Sequence, residues 1–146
     1  MSEKAGAINS AQKTTAQGGC FCGAFRYELS GEPLGSMICH CQSCRRISGA
    51  PVVAWCTFNS SDFRVIRGEA KEFVSSPGVV RTFCAACGTP IVYRNAKHPD
   101  EVDVTACTLD DPNLFPPTHH SWLSDDVHWV RFGDTKPTYL KSRYST

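Results

Sequence analysis

Seven of the nine cysteines in this 146-residue chain fall into three short clusters. The clusters are Cys20-Phe21-Cys22, Cys39-His40-Cys41-Gln42-Ser43-Cys44 and Cys84-Ala85-Ala86-Cys87. Four thiolates close a tetrahedral zinc site, whereas three thiolates leave a zinc ion with one vacant position. A closed zinc site is structural, and a zinc ion with a vacant position can take part in chemistry. The count of seven therefore predicts two unequal metal sites.

Disulfide bonds are the competing interpretation of a cysteine-rich chain. The number of cysteines is odd, no export signal is visible, and the clustered pairs lie too close in sequence to link distant segments. In a reducing compartment, clustered thiols more often bind metal or react. We therefore predict a cytoplasmic protein that holds two Zn²⁺ ions, with zinc favoured over iron as the default metal of such sites.

Length and composition predict one folded domain. Apolar residues make up 41% of the chain and charged residues 20%, as in ordinary soluble proteins. Residues 1–17 lack the apolar stretch of a signal peptide, and no run is long and apolar enough to cross a membrane. We predict a flexible N-terminal tail over residues 1–17 and a single zinc-binding domain over residues 18–146.

The formal net charge of +1 gives no reason to expect a nucleic-acid partner. The basic residues are scattered, and only Arg45 and Arg46 form a basic pair next to a cysteine cluster. Thiolates bound to two Zn²⁺ ions would make the net charge slightly negative. The sequence leaves the oligomeric state open.

Short runs of β-branched and aromatic residues, separated by turn residues, follow one another from Ala24 onward. Period-two alternation of this kind is typical of antiparallel sheet. The runs cover residues 25–29, 52–58, 63–66, 72–74, 79–83, 91–93 and 102–104. Only residues 42–48 suggest a helical turn or two. The pattern predicts a mainly β fold of small antiparallel sheets with few short helical turns.

The first and third clusters need bent backbone to bring their sulfur atoms to one ion. Gly23 follows the Cys20/Cys22 pair and Gly88 follows the Cys84/Cys87 pair, and glycine adopts such conformations at little cost. One zinc ion shared by these four cysteines would close a loop of roughly 60 residues and stabilise the fold.

The middle cluster, Cys39, Cys41 and Cys44, has no partner pair to supply a fourth ligand. Three alternatives remain open for that position. It could be filled by a histidine (His40, His119 or His120), by another cysteine (Cys56 or Cys107), or by water or an incoming thiol. Soft sulfur ligands favour a soft incoming group, and zinc lowers the pKa of a bound thiol. We favour the vacant position.

These residues resemble the glutathione-dependent formaldehyde-activating enzyme family, of which centromere protein V is a relative. The resemblance rests on residues 18–23, 39–46, Trp55, 83–89, 109–112, 120–122 and Trp129. It implies a β-tent fold stapled by zinc. It also implies a structural zinc on Cys20, Cys22, Cys84 and Cys87 and a catalytic zinc on Cys39, Cys41 and Cys44. The implied activity is that of a carbon–sulfur lyase, with glutathione as the small-molecule thiol and S-hydroxymethylglutathione as the adduct.

Alternatives remain open for the side chains near the middle cluster. His40 lies between two ligands, and we expect it to make a hydrogen bond instead of binding metal. His119 and His120 could shuttle a proton or serve the structure alone. Arg45 or Arg46 could bind a carboxylate of glutathione, or both could line a solvated face. The remaining expectations are core positions for Trp55 and Phe58 and buried apolar positions for Cys56 and Cys107.

Two functional classes therefore remain open. In the first, the middle cluster holds a zinc ion at which a thiol adduct of a small aldehyde is formed or cleaved. In the second, both zinc ions are structural and the protein is a non-catalytic binding module for a protein or nucleic acid. A thiol-based redox role for the middle cluster is a weaker third.

Overall fold

The computed structural model describes residues 14–145, and it is mainly β. A three-stranded sheet has the order β1-β2-β5, and a seven-stranded sheet has the order β10-β3-β4-β9-β8-β7-β6. The strands are β1 (Thr15–Gly19), β2 (Arg26–Ser30), β3 (Gly35–Cys39), β4 (Val53–Asn59), β5 (Phe63–Arg67), β6 (Ala70–Ser76), β7 (Val79–Cys84), β8 (Pro90–Asn95), β9 (Glu101–Thr105) and β10 (His119–Ser121). One helix, α1 (Gln42–Ser48), follows β3. The mainly β fold with few helical turns is thus confirmed.

The main core lies between the two sheets. Tyr27 and Leu29 of β2 alternate inward with polar neighbours and pack with Phe58 of β4 and Val102 and Val104 of β9. All five side chains are at most 1% exposed. Complete burial of each such side chain stabilises the fold by about 1.5–3 kcal/mol.

Strand β4 is apolar on both faces from Val53 to Cys56, which explains the unbroken apolar run at its start. Cys56 and Phe58 face the main core, whereas Trp55 packs with Cys39 and Cys44 on the opposite face of the sheet. A strand that is covered on both sides reads as a continuous apolar run instead of an alternating one. The expected core positions of Trp55, Phe58 and Cys56 are confirmed.

The pairing of β10 with β3 is parallel, which the sequence did not predict. His119, His120 and Ser121 pair with Met37, Ile38 and Cys39. Every other strand pairing in the described part of the chain is antiparallel. The parallel pairing places a distant histidine-containing segment beside the strand that ends in Cys39.

Strand β1 begins at Thr15, inside the segment predicted to be a flexible tail. Its residues pair with β2, and Ala16 is buried. Backbone pairing needs few apolar side chains, so composition gave little sign of this strand. Most of the predicted tail, residues 1–13, lies outside the described residues, and the single domain over residues 18–146 stays a prediction.

No helix within residues 14–145 combines the length and apolar character that a membrane span requires.

Candidate metal centres and the adjoining cleft

Cys20, Cys22, Cys84 and Cys87 form a compact group, called here the four-sulfur set. Their sulfur atoms all lie within 4.8 Å of one another. The Cys20–Cys22 distance is 3.5 Å and the Cys22–Cys84 distance is 3.9 Å. Tetrahedral zinc with Zn–S bonds of about 2.3 Å places its sulfur ligands about 3.8 Å apart. The four-sulfur set therefore has the spacing that a zinc ion requires.

Backbone amides already point at the sulfur atoms of this set. Phe25 N–H donates to Cys20 Sγ at 3.2 Å, and Cys87 N–H donates to Cys84 Sγ at 3.5 Å. The bends that allow this contain Gly23, at φ 77°, and Gly88, at φ 78°. Both angles lie in the left-handed region that favours glycine. Hydrogen bonds of this kind stabilise thiolates, the form in which cysteine binds metal.

Thr89 supports the exposed ligand Cys87. Its hydroxyl group accepts a hydrogen bond from the Phe21 amide at 3.1 Å and lies 3.1 Å from Cys87 Sγ. Hydrogen bonds from Thr89 lower the pKa of the Cys87 thiol to about 5. The Thr89 hydroxyl group thus links the segment of Cys20 and Cys22 to the segment of Cys84 and Cys87.

Cys39, Cys41 and Cys44 form the second group, called here the three-sulfur set. Cys39 ends β3, Cys41 is the N-cap of α1, and Cys44 lies in the first turn of that helix. The Cys44 amide donates to Cys41 Sγ at 3.3 Å, so a sulfur atom serves as the helix cap. The three sulfur atoms lie within 4.8 Å of one another.

The three thiols cannot all ionise without a cation. Hydrogen bonds from Cys39 and Cys44 lower the pKa of Cys41, and hydrogen bonding with Cys41 and Cys44 raises the pKa of Cys39. A negative charge on one of the three sulfur atoms therefore opposes ionisation of the other two. A bound divalent cation would remove that opposition.

No fourth protein ligand joins the three-sulfur set among residues 14–145. Cys56 lies in the main core, where its thiol donates to the Phe115 carbonyl oxygen at 3.7 Å. Cys107 is exposed, so its expected burial was wrong. It follows β9 in a short 3-10 turn, Ala106–Thr108, in which Ala106 is the residue that faces inward.

His40 points away from the three-sulfur set and makes a hydrogen bond, as expected of it. Its Nε2 atom lies 2.9 Å from Nδ1 of His120, and Nε2 of His120 lies 3.2 Å from the Asp134 carboxylate. Phe132 covers both rings. His40 and His120 are buried and Asp134 is exposed, and the residues on either side of His40 are both cysteines of the set.

His119 is buried and also stands outside the set. Its Nδ1 atom lies 3.1 Å from the Thr118 hydroxyl group, and its Nε2 atom has no hydrogen-bond partner among the described residues. Burial lowers the pKa of this imidazole, so the neutral form is favoured.

The three-sulfur set opens on a cleft of about 660 Å³. This volume lies within the range of about 300–1,000 Å³ that is typical of small-molecule sites. Four aromatic side chains, Trp55, Tyr93, Trp122 and Tyr144, contribute to its walls. Asp125 lines it as well, and its carboxylate accepts a hydrogen bond from the first amide of α1 at 3.3 Å.

Trp122 has an unusual backbone, with φ at 63°. The left-handed conformation costs a bulky L-residue roughly 1–2 kcal/mol. Neighbouring pairings enforce it, because the amides of Trp122 and Leu123 donate to the carbonyl groups of Lys141 and Tyr139. Such strain is concentrated at binding and catalytic sites.

A row of polar side chains crosses the sheet on the cleft side. Arg81 of β7 is directly opposite Tyr93 of β8, Tyr93 is opposite Asp103 of β9, and Asp103 is opposite Thr57 of β4. All four line the cleft, whereas Arg45 and Arg46 do not. No sequence pattern indicated this row, because each of its members lies within a run that is typical of an ordinary strand.

Burial raises the pKa of the Asp103 carboxyl group to about 6. A hydrogen bond from the Thr57 hydroxyl group opposes that shift. Asp103 therefore exchanges its proton close to neutral pH, inside the cleft.

A model of the family described as glutathione-dependent formaldehyde-activating enzyme matches residues 15–125. The chain belongs to this family. The matched region contains both sulfur sets, Arg81 and Asp103. The resemblance drawn from the cysteine motifs is confirmed.

Relatives within and around the family agree with this assignment. A protein of Halomonas elongata, provisionally named a glutathione-dependent formaldehyde-activating enzyme, is 27% identical over 124 residues, 78% of this chain and 78% of that protein. An uncharacterized lyase of Schizosaccharomyces pombe is 33% identical over 87 residues, 57% of this chain and 61% of that protein. A crystal structure of a Rhodobacter sphaeroides protein has a TM-score of 0.54 and 30% identity, covering 64% of this chain and 87% of that one. Membership and these names together support a lyase-type role.

Proposed function

We propose that this protein is a zinc-dependent carbon–sulfur lyase that acts on the thiol adduct of a small aldehyde, such as S-hydroxymethylglutathione. One observation carries the proposal. Three sulfur atoms suited to one metal ion stand at the wall of a cleft large enough for a small peptide, without a fourth protein ligand among the described residues. Family membership supports the choice of thiol and aldehyde.

The donor sets fit zinc, and each would have its own role. Cys20, Cys22, Cys84 and Cys87 would hold a structural ion, and Cys39, Cys41 and Cys44 would hold a catalytic ion with one position free for the substrate sulfur. Bound zinc would supply a Lewis acid that lowers the pKa of the incoming thiol. Glutathione is the thiol that we propose, and the cytoplasm remains the predicted location.

The reaction itself requires little rearrangement. In the cleavage direction, the hydroxyl proton of the adduct leaves, the carbon–oxygen bond becomes the carbonyl group of formaldehyde, and the electron pair of the carbon–sulfur bond stays on sulfur. The opposite direction forms the adduct from a thiolate and the aldehyde. Trp55 and Trp122 would cover the reacting group and limit the access of water.

Zinc-loaded full-length protein tests the proposal. Exchange between glutathione with formaldehyde and their adduct can be followed by NMR and compared with the uncatalysed exchange in the same buffer. We expect the wild type and Cys107→Ser to accelerate this exchange, and we expect Cys41→Ser not to accelerate it. The Cys107 variant is a matched control, since that thiol is exposed and outside both sets.

The same experiment separates the enzyme from a non-catalytic binding module. A module would show two zinc ions per chain, no acceleration, and no response of either metal site to glutathione. That outcome would end the proposal.

A further inference from the structure

Among the described residues, Arg81 is a buried cation without a carboxylate partner, and its charge also acts on the Cys41 and Cys44 thiols. Its side chain is 7% exposed, yet it lines the cleft. Its Nε donates to the Ser75 hydroxyl group at 3.1 Å, and its Nη1 has no hydrogen-bond partner among the described residues. No carboxylate in that part of the chain lies within ion-pair distance of it. A buried charge in this situation is costly unless an anion compensates it.

The position of Arg81 is fixed by its neighbours. Its guanidinium group stacks on the Tyr93 ring, with 5.0 Å between the guanidinium carbon and the ring centroid. Tyr93 in turn packs against the group of buried residues formed by Cys39, Cys44 and Trp55. Tyr93 thus contacts both the guanidinium group and the residues around the three-sulfur set, and Arg81, Tyr93 and the three cysteines all line the same cleft.

We propose that Arg81 is the carboxylate-binding residue of the cleft, so that the substrates are thiols with a carboxylate near the sulfur atom. The sulfur would lie at the three-sulfur set and the carboxylate at the guanidinium group across the Tyr93 ring. A planar guanidinium group binds a carboxylate through two parallel hydrogen bonds. Stacking on an aromatic ring fixes the orientation of the guanidinium group before the carboxylate binds. This inference rests on the proposed function, and it names the substrate class of the same site.

Arg81 fits this role better than the arginines that follow the third cysteine. Arg46 is exposed on α1, and Arg45 donates to the Asp125 carbonyl oxygen at 3.2 Å. Neither lines the cleft. The expectation that Arg45 or Arg46 would bind the carboxylate therefore gives way to a residue on β7.

A pair of probes that differ in one group tests the inference. N-acetylcysteine carries a carboxylate two bonds from the carbon next to sulfur, and N-acetylcysteinamide carries a neutral amide there. Full-length protein is loaded with Co²⁺, and sulfur-to-cobalt absorption reports each thiol at the metal while Trp55 and Trp122 fluorescence reports occupancy of the cleft. Affinities are expressed per thiolate, so that the different thiol pKa values of the probes do not enter.

We expect the wild type to bind the acid about tenfold more tightly than the amide, or better. Arg81→Gln should bring the ratio of the acid affinity to the amide affinity close to one. Arg81→Lys should keep part of that ratio, because lysine supplies a positive charge but not the two parallel N–H donors of a guanidinium group. Arg46→Gln should keep the wild-type ratio. Metal content and circular dichroism establish that each variant is folded.

Other results overturn the inference. An equal loss for both probes in Arg81→Gln would mean that the guanidinium group serves the sulfur charge and not a carboxylate. A wild type that binds acid and amide equally would refute it without any variant, even where Arg81→Gln fails to fold. If neither probe perturbs the cobalt absorption, the proposed function fails as well; if both bind without discrimination, the carboxylate inference alone fails.

Discussion

Cys22 and Cys84 are separated by 62 positions in the sequence, yet their sulfur atoms lie 3.9 Å apart. Cys22 follows β1 in a glycine-containing bend, and Cys84 ends β7 of the larger sheet. The four-sulfur set therefore joins the segment between β1 and β2 of the smaller sheet to β7 of the larger one. A metal ion at this point would close a long loop, which constrains the unfolded chain as well as the folded one.

Cys87→Ser should remove one metal ion per chain and strongly destabilise the fold. Cys87 is exposed, so the change creates no cavity, and the effect comes from the lost ligand. A structural zinc site is worth several kcal/mol, so we expect the melting temperature to fall by on the order of 10 °C or more. Zinc analysis and thermal unfolding measure this. Cys107→Ser should match the wild type, and equal melting temperatures for the two variants would refute a structural role for the set.

Chelator treatment should release the two metal ions at different rates. An ion with three protein ligands has a vacant position through which a chelator can attack, whereas an ion with four does not. We expect two kinetic phases of one zinc ion each in the wild type, and Cys41→Ser should lack the fast phase while it keeps its fold. A colorimetric zinc indicator follows the release. A single phase, or unfolding that accompanies the first release, would contradict the unequal assignment.

Asp103→Asn should change how stability depends on pH. Burial raises the pKa of this carboxyl group from about 3.8 to about 6 in the folded protein. Between these values the folded state keeps a proton that the unfolded chain has lost, so stability falls as pH rises through the window. Asparagine keeps the acceptor for the Thr57 hydroxyl group without the charge. At pH 7.5 we expect the variant to be about 1–2 kcal/mol more stable than the wild type.

Urea unfolding at a series of pH values measures this difference. It should shrink toward zero as the pH is lowered from 7 to 4.5, because the wild-type carboxyl group then becomes neutral too. The exposed Asp111 supplies the control, and Asp111→Asn should show no such trend. A difference that stays constant across this range would show that burial of the charge is not the cause.

Gly18→Ala should destabilise the protein by about 1–3 kcal/mol, the usual cost of overpacking a core. A methyl group at this position would meet the Tyr27 ring and would lie 2.6 Å from the Thr108 carbonyl oxygen. Tyr27 is completely buried and cannot move aside. At Gly133, by contrast, nothing lies within 4 Å of an added methyl group, so Gly133→Ala is the matched control. Equal unfolding free energies for the two variants would refute the close contact.

The sequence predicted the features that are local. Clustered cysteines, the glycines that follow them and the short helix at residues 42–48 all depend on residues within one turn, and the structure contains each of them. Alternation likewise located β2 and β4 to β9 to within a few residues. Strands β1, β3 and β10 were missed because they contain few β-branched or aromatic residues, so alternation gave no signal there.

The walls of the cleft depend entirely on sheet register and were therefore beyond the reach of local pattern. Arg81 and Asp103 become neighbours of Tyr93 only through cross-strand pairing. The sequence instead drew attention to Arg45 and Arg46, which are next to a cysteine in the chain but outside the cleft. Adjacency along a chain is a poor guide to adjacency across a sheet. The signal that the sequence does contain is an arginine in one strand, followed by a strand with a tyrosine and then by a strand with two acidic residues.

Strand β7 carries Arg81 on the cleft and, three residues later, Cys84 of the four-sulfur set. A strand segment roughly 10 Å long thus connects the four-sulfur set, whose ion would not contact the substrate, to Arg81, which would bind the substrate carboxylate. Loss of the ion from the four-sulfur set would accordingly disturb Arg81 and substrate selection as well as the fold, at a distance from the reacting sulfur atoms.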